Sequence, residues 1–397
     1  MSNSLPRNAE QLLALVRYAF HGIPMPEEEI RWHELFHEAC KQNIAANLHP
    51  AAKELMSKCI AANPDCFAAT PIEGEDPVPL MKLVLGLWDI ATERTIQRSH
   101  VQFSLLYRLA KMVEPAGIGL MVLKGYGFSA NYPNPMFRFS NDVDIYPFDL
   151  HNPDQPDGGR SAKRVDAIVR EQLGVEVTGE NGDHHSRFII DGIDVENHFK
   201  IIGGGKSRQA QSFEQHMQQL ALDHTIVAKK DDVKVYIPSV KFNALHQLRH
   251  DSKHFANSGI NIRHLLDWAF LVASPRFQQA KEENWQWLYP QAEKYNMHKF
   301  LAILNAICIE DLGFSADLFP VLPYNAKLKA RVLQAIVAPA PHDKPHSFET
   351  PFHIKLLHWM RNDWKRRVFA DIPIPQAFIA HVRAYINSQR AHRQSNQ

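Results

Sequence analysis

The spacing of apolar residues changes twice along this chain, and those two changes constrain its architecture more than any other feature. Up to about residue 115 they recur at helical intervals, first in AEQLLALVRYAF and then through PLMKLVLGLWDIATERTIQRSHVQFSLLYRLAKMV. Between about 116 and 240 the runs become short, and several alternate. From Ser239 helical spacing returns in KFNALHQLRHDSKHF, INIRHLLDWAFLV, NWQWLYPQAEKY, KFLAILNAICIEDL and PQAFIAHVRAYINSQR. The pattern predicts an α+β protein: a small mixed β-sheet core over 116–240, an N-terminal helical region over 1–115 and a C-terminal helical domain over 241–397.

Within the middle block, IGLMVLK (118–124) is a short apolar run between glycines and predicts a buried strand. DVDIYPF alternates as a strand should, up to Pro147. KRVDAIVREQLG predicts a helix that stops near Gly174. SRFIIDGIDVENHFKI predicts a hairpin turning at Asp191–Gly192, because an Asp-Gly pair readily takes the positive φ values that a tight two-residue turn requires. VKVYIP adds one more strand. CIAANPDCFAATPIEGEDPVP is rich in breakers and reads as a loop.

The apolar alternation of DVDIYPF carries two acids. Residues i and i+2 of a strand share a face, so Asp142 and Asp144 project together while Val143 and Ile145 turn to the core. Two carboxylates that close repel unless a cation or proton lies between them. Magnesium suits such a pair, since it takes hard oxygen ligands and is completed by substrate phosphates; manganese could replace it. In IDVENHF, Asp194, Glu196 and His198 share a face of a second strand. Glu196, at mid-strand, is the expected third metal ligand, and Asp194 lies too near the turn. The alternative for these acids is a solvent-facing strand end.

Upstream, LMVLKGYGFSANY predicts strand, glycine turn and helix. Gly125 lets the backbone approach a phosphate, and the N–H groups of a helix starting near Tyr126 would point at it. Lys124 and Arg138 add a point charge and a bidentate fork for the same anion. GGGKS (203–207) has the tail of a phosphate loop, but Lys200 stands where that motif needs glycine, so a flexible Gly-rich loop is expected, with a mobile lid as the alternative.

These residues together resemble the uncharacterised nucleotidyltransferase family of the polymerase-beta-like superfamily. The resemblance rests on LKG, Tyr132-Pro133, Arg138 four residues before Asp142-Val-Asp144, VENH, and SGINIRHLLDWAFLV, and covers about residues 85–275. It implies a mixed-sheet nucleotidyltransferase core. Asp142, Asp144 and Glu196 would be metal ligands around magnesium, and Gly125 the phosphate-loop glycine. A nucleoside triphosphate would donate its nucleoside monophosphate to an acceptor hydroxyl on a protein, an RNA or a small molecule. Tyr126 stands where the wider superfamily has Ser or Gly, and the spacing from Gly125 to Asp142 is longer than usual. The alternative is a protein that binds nucleotide on this fold without turnover.

Histidine is abundant, at 22 residues. His246, His250 and His254 share one helix face. The face could line the nucleotide cleft, hold zinc in a His-rich hydrolase, or be a partly buried amphipathic surface. His184 and His185 become cleft residues if the resemblance holds. Arg263 and Asp267 form an i, i+4 pair, either a simple helix ion pair or, by the resemblance, part of the cleft wall.

A net charge of +1 argues against a generally basic nucleic-acid binder. The basic, aromatic stretch WMRNDWKRRVF could touch RNA or a membrane surface, though a solvated helix face is the expected reading. Cys40, Cys59, Cys66 and Cys308 have no CxxC spacing and read as free thiols. No apolar run reaches the roughly 18–20 residues of a membrane span, and the N-terminus lacks a signal-peptide order, so a cytoplasmic protein is expected.

Overall fold

A computed structural model describes residues 5–27, 29–62, 80–180, 184–202, 208–223, 226–340, 350–365, 379 and 382. Most of the breaker-rich segment around Cys66, the GGGKS loop and the bulk of PQAFIAHVRAYINSQR lie outside the described residues. Four helices come first: α1 (Arg7–His21), α2 (Trp32–Lys41), α3 (Ala45–Ala62) and α4 (Leu80–Val113). The sheet region contains β1 (Ile118–Val122), the single turn α5 (Tyr126–Ser129), β2 (Asp142–Asp149), α6 (Arg160–Leu173), β3 (His185–Ile190), β4 (Ile193–His198), α7 (Arg208–Leu222), β5 (Ile226–Lys230) and β6 (Val233–Ile237). The remaining helices are α8 (Val240–Asn257), α9 (Ile262–Ala273), α10 (Pro275–Gln278), α11 (Lys281–Lys294), α12 (His298–Glu310), α13 (Ala326–Val337) and α14 (Phe352–Arg361). The fold is α+β, as the period changes predict.

The six strands form one mixed sheet in the order β3-β4-β2-β1-β6-β5. β1 runs antiparallel to β2 and parallel to β6, and β2 runs parallel to β4. The β3–β4 hairpin turns at Asp191–Gly192 with φ of 52° and 72°, the positive pair that a two-residue turn of this hand demands. Gly174 ends α6 in the left-handed conformation.

The sequence reading falls short at four elements. β2 continues through Pro147 to Asp149; its pairing with β4 ends at Ile145, so the missing N–H lies beyond that ladder. α7, and β5 beside β6 at the sheet edge, were not read from the sequence. The expected helix at Tyr126 is a single turn.

Two apolar clusters hold these layers. Val143, Ile145 and Val195 project from the sheet against Val165 and Val169 of α6, joined by Leu105, Leu109 and Val113 of α4. The other cluster joins α1–α3 and the start of α4 to α8–α13, with Trp88, Trp268, Phe255 and Phe300 fully buried. Near the C-terminus, Trp359 is buried and Trp364 stacks beneath the Arg331 guanidinium at 3.9 Å, so the described tryptophans of that basic stretch pack inward. Cys40, Cys59 and Cys308 are free thiols. Among the described residues no helix is long and apolar enough to cross a membrane.

Candidate active site

Strand pairing assembles the acidic centre. In the parallel β2–β4 ladder Asp142 stands beside Asp194 and Asp144 beside Glu196, with Val143 and Val195 between them turned to the opposite face. Because β1 is antiparallel to β2, its end meets the start of β2: Leu123 donates its N–H to the Asp144 carbonyl at 3.1 Å. That places Lys124 and Gly125 beside the two aspartates. Gly125 has φ +50°, a conformation that side chains disfavour, as the sharp turn out of β1 requires.

The loop before Asp142 is fixed from α4. Arg98 donates to the carbonyls of Ser140 and Asn141 at 2.9 and 2.5 Å, and Gln102 to Ser140 at 3.1 Å. The Ser140 hydroxyl donates to the Asp142 carbonyl at 3.1 Å. On the far face of β4, Asn197 donates to Asp166 at 2.7 Å and to the Ala162 carbonyl at 2.9 Å, tying the strand to α6. The Asn of VENH is therefore a fastener behind the site.

A cavity of about 500 Å³ lies between this acidic sheet face and helices α8 and α9. Asp142, Asp144, Glu196, Lys124, Gly125, Arg138, His184, His250 and Arg263 all line it. His246 and His254 line it as well, so the row of histidines on α8 faces the cleft. Their nitrogens do not form a shared metal group; among the described residues such groups are His184–His185–His198, His250–Asp251–His264 and Asp144–Glu196–His198. The alternative of a zinc hydrolase on the 246–254 row finds no shared ligand group there among the described residues.

Asp144 is 1% exposed and is the charge centre of the pocket. Lys124 Nζ lies 2.8 Å from its Oδ1, and His198 Nε2 lies 3.0 Å from the same oxygen. Burial works against its ionisation, but the two cations outweigh that and hold the carboxyl well below the usual range. Desolvation, then repulsion from Asp144, raises Asp142 instead. Burial also opposes charge on His198; its contacts with Asp144 and with Glu196 at 3.6 Å win and raise it to about 9. His198 follows Glu196 by two residues on the same strand face, yet its partnership with Asp144 needs the tertiary register.

Arg138 and Tyr126 differ from expectation. Arg138 is 4% exposed, and its fork is engaged by Asp267: Nε donates to Oδ1 at 2.7 Å and Nη2 to Oδ2 at 2.8 Å. Arg263 and the Tyr132 hydroxyl donate to the same carboxylate at 3.0 and 2.7 Å. The i, i+4 pair is thus one arm of a buried clamp in the cleft wall. Tyr126 points back to α4, where its hydroxyl meets that of Tyr107 at 3.2 Å. Arg249, on α8 beside the histidine row, is a further cleft residue. It lines the pocket over the Phe213 ring, its Nε is buried without a hydrogen-bond partner, and burial lowers its pKa.

The histidines make stability depend on pH in both directions. His198 titrates near 9 in the folded protein against an ordinary 6.5. Its contribution is full below 6.5 and lost as pH rises through 9, on the order of 3 kcal/mol. Burial holds His184 and His254 near 4 and His246 near 3. Below pH 6.5 the unfolded chain takes up protons that these folded groups refuse, so stability also falls toward acid. Denaturation from pH 4 to 9.5 should show a maximum near 6.5, and His198→Gln should flatten the alkaline side alone. An unchanged alkaline slope in that variant would contradict the assignment.

A strand-borne acid cluster beneath a cleft with a basic wall is an arrangement suited to phosphoryl-group chemistry. The chain belongs to the uncharacterised nucleotidyltransferase family, whose model matches residues 28–312. Among solved structures, an antigenic nucleotidyltransferase-like protein from Paracoccidioides brasiliensis shares 14% identity, covering 48% of this chain and 90% of its own, with a TM-score of 0.30. No curated protein matches.

Proposed function

We propose that the protein is a metal-dependent nucleotidyltransferase, moving a nucleoside monophosphate from a nucleoside triphosphate to an acceptor hydroxyl with release of pyrophosphate. The observation that carries this reading is the convergence of Asp142, Asp144 and Glu196 on one face of two adjacent strands, at the floor of a cleft. Family membership supports the reaction class.

The donor set suits a hard divalent cation, magnesium or manganese. Asp144 Oδ2 is buried without a hydrogen-bond partner, and burial, then repulsion from Asp144, pushes the Asp142 carboxyl up. Asp142, Asp144 and Glu196 would hold the ion, which when bound would neutralise charge on the reacting and departing phosphates. The rest falls to the chain's own groups. Lys124 and Arg249 offer cationic contacts to the triphosphate, and Arg263 adds charge from α9. Gly125 lets the backbone come close to it. Glu196 is the better acceptor for the hydroxyl proton, because Asp144 is held too acidic by Lys124 and His198. Packing between the sheet and α8 supplies orientation.

The test uses each nucleoside triphosphate labelled at either the α or the γ phosphate, with magnesium or manganese, in cell lysate. Label from the α position should enter an acceptor and γ label should leave as pyrophosphate. Asp142→Asn should reduce transfer roughly a thousandfold or more. Transfer of γ label, or undiminished transfer by that variant, would reject the reading. Nucleotide binding with no transfer to any acceptor would instead mark a non-catalytic binding protein on this fold.

A further inference from the structure

The same cleft holds a second donor set, made of nitrogen. His184 directly precedes β3, His185 opens it and His198 closes β4, and the antiparallel register sets His185 opposite His198. The hairpin thereby gathers three imidazoles at one corner of the sheet. One ring nitrogen from each lies within 4.8 Å of the others. Ring centroids are 4.3 Å apart for His184 and His185, and 5.2 Å for His185 and His198. Glu196 closes the group, with one oxygen 3.8 Å from His185 Nε2 and the other 3.6 Å from His198 Nε2.

Two features point to a ligand. Nδ1 of His184 and Nδ1 of His185 are buried with no hydrogen-bond partner, a state that is costly unless something binds them. His198, in contrast, is anchored at its outer nitrogen: Nδ1 donates to the Lys200 carbonyl at 3.1 Å, while Nε2 faces inward and meets Asp144 at 3.0 Å through a proton that it would give up to bind a metal. The Nδ1 contact is the outer-nitrogen bond by which proteins orient a metal-ligating imidazole.

We infer that His184, His185, His198 and Glu196 form a site for a borderline transition-metal ion of the zinc class, set beside the carboxylate site and different from it in chemistry. Imidazole nitrogen favours zinc, cobalt or nickel, whereas magnesium selects oxygen. Three nitrogens and one carboxylate supply the four donors of a tetrahedral ion. Four ligands at zinc distances stand about 3.4 Å apart, and the three imidazole nitrogens already lie within 4.8 Å of one another. The neighbouring group of His250, Asp251 and His264 is a weaker candidate. There Nδ1 of His264 already meets Asn261 at 2.7 Å, its Nε2 meets Arg263 at 3.3 Å, and His250 Nδ1 meets Asp251 at 3.2 Å. The nitrogen site stands whether or not the protein transfers nucleotides, and Glu196, common to both donor sets, would link their occupancies.

The full chain, stripped of metal with a chelator, is titrated with cobalt(II) and followed by its visible absorption, then competed with zinc. One equivalent should bind per chain with the spectrum of four-coordinate cobalt. The double variant His184→Ala/His185→Ala should bind at least about 100-fold more weakly. Asp142→Asn should keep the cobalt spectrum, since its carboxylate is outside the nitrogen group. Thermal melting of the stripped proteins checks the fold, and His184→Gln is read in place of the double variant if that one unfolds. No stoichiometric binding, or equal binding by the histidine variants, overturns the inference. Loss of cobalt in Asp142→Asn alone overturns it too, by placing the ion on the carboxylates. Transfer of α label with magnesium in a protein that fails the cobalt test would sink this inference and leave the proposed function standing.

Discussion

Asp144→Asn will be the less stable of two inactive variants, by about 3 kcal/mol, while Asp142→Asn will be as stable as the unaltered protein or more so. The two residues stand two apart on one strand, yet their surroundings are opposite. Asp144 has two cations at hydrogen-bond distance, half-buried Lys124 at 2.8 Å and buried His198 at 3.0 Å. Removing its charge takes from both the carboxylate they share, and breaking a buried pair costs about 3–5 kcal/mol. His198 can limit the damage by releasing its proton, so the loss should be largest near pH 6 and smaller near pH 9. Asp142 is raised by burial and by Asp144, so a neutral amide there removes repulsion. Both variants should lose nucleotidyl transfer. Denaturant unfolding at pH 6 and pH 9 measures the difference. Equal stabilities, or a greater loss in Asp142→Asn, would show that Asp144 is not the charge centre.

That contrast marks the boundary of what a single sequence discloses. Local regularities were readable. Alternation put Val143 and Ile145 inward and the aspartates together, the Asp-Gly pair located the hairpin, and one periodic run gave the 34 residues of α4. A family resemblance and strand geometry then named Glu196. Residues whose role depends on distant partners were not readable. Arg138 looked like a phosphate fork because its partner, Asp267, lies 129 positions away. His198 shared a strand face with Glu196, but only the β2–β4 register puts it on Asp144. The nitrogens of His184 and His185 meet His198 through a hairpin closure that spacing alone does not measure. β5 escaped notice because a short edge strand ending in two lysines has too few apolar positions to show a period.

The clamp on Asp267 should be worth as much as the Asp144 centre. This carboxylate is 2% exposed and takes four donors: Arg138 Nε and Tyr132 on one oxygen, Arg138 Nη2 and Arg263 on the other. Asp267→Ala leaves the Arg138 guanidinium buried and unpaired, and should destabilise the protein by about 3–5 kcal/mol. Replacing both ends, as Arg138→Met with Asp267→Leu, should recover much of that loss, because an apolar pair in the same space has no charge to desolvate. Arg138 is four residues before Asp142 and Asp267 is on α9, so the clamp fixes the acidic strand end against the helical wall of the cleft. Arg138→Lys separates this role from phosphate binding. A lysine cannot supply the two parallel donors, so a clamp predicts a loss of stability with KM for nucleotide little changed in the folded fraction. A phosphate fork predicts the reverse, a raised KM at unchanged stability, and that result would return Arg138 to the substrate.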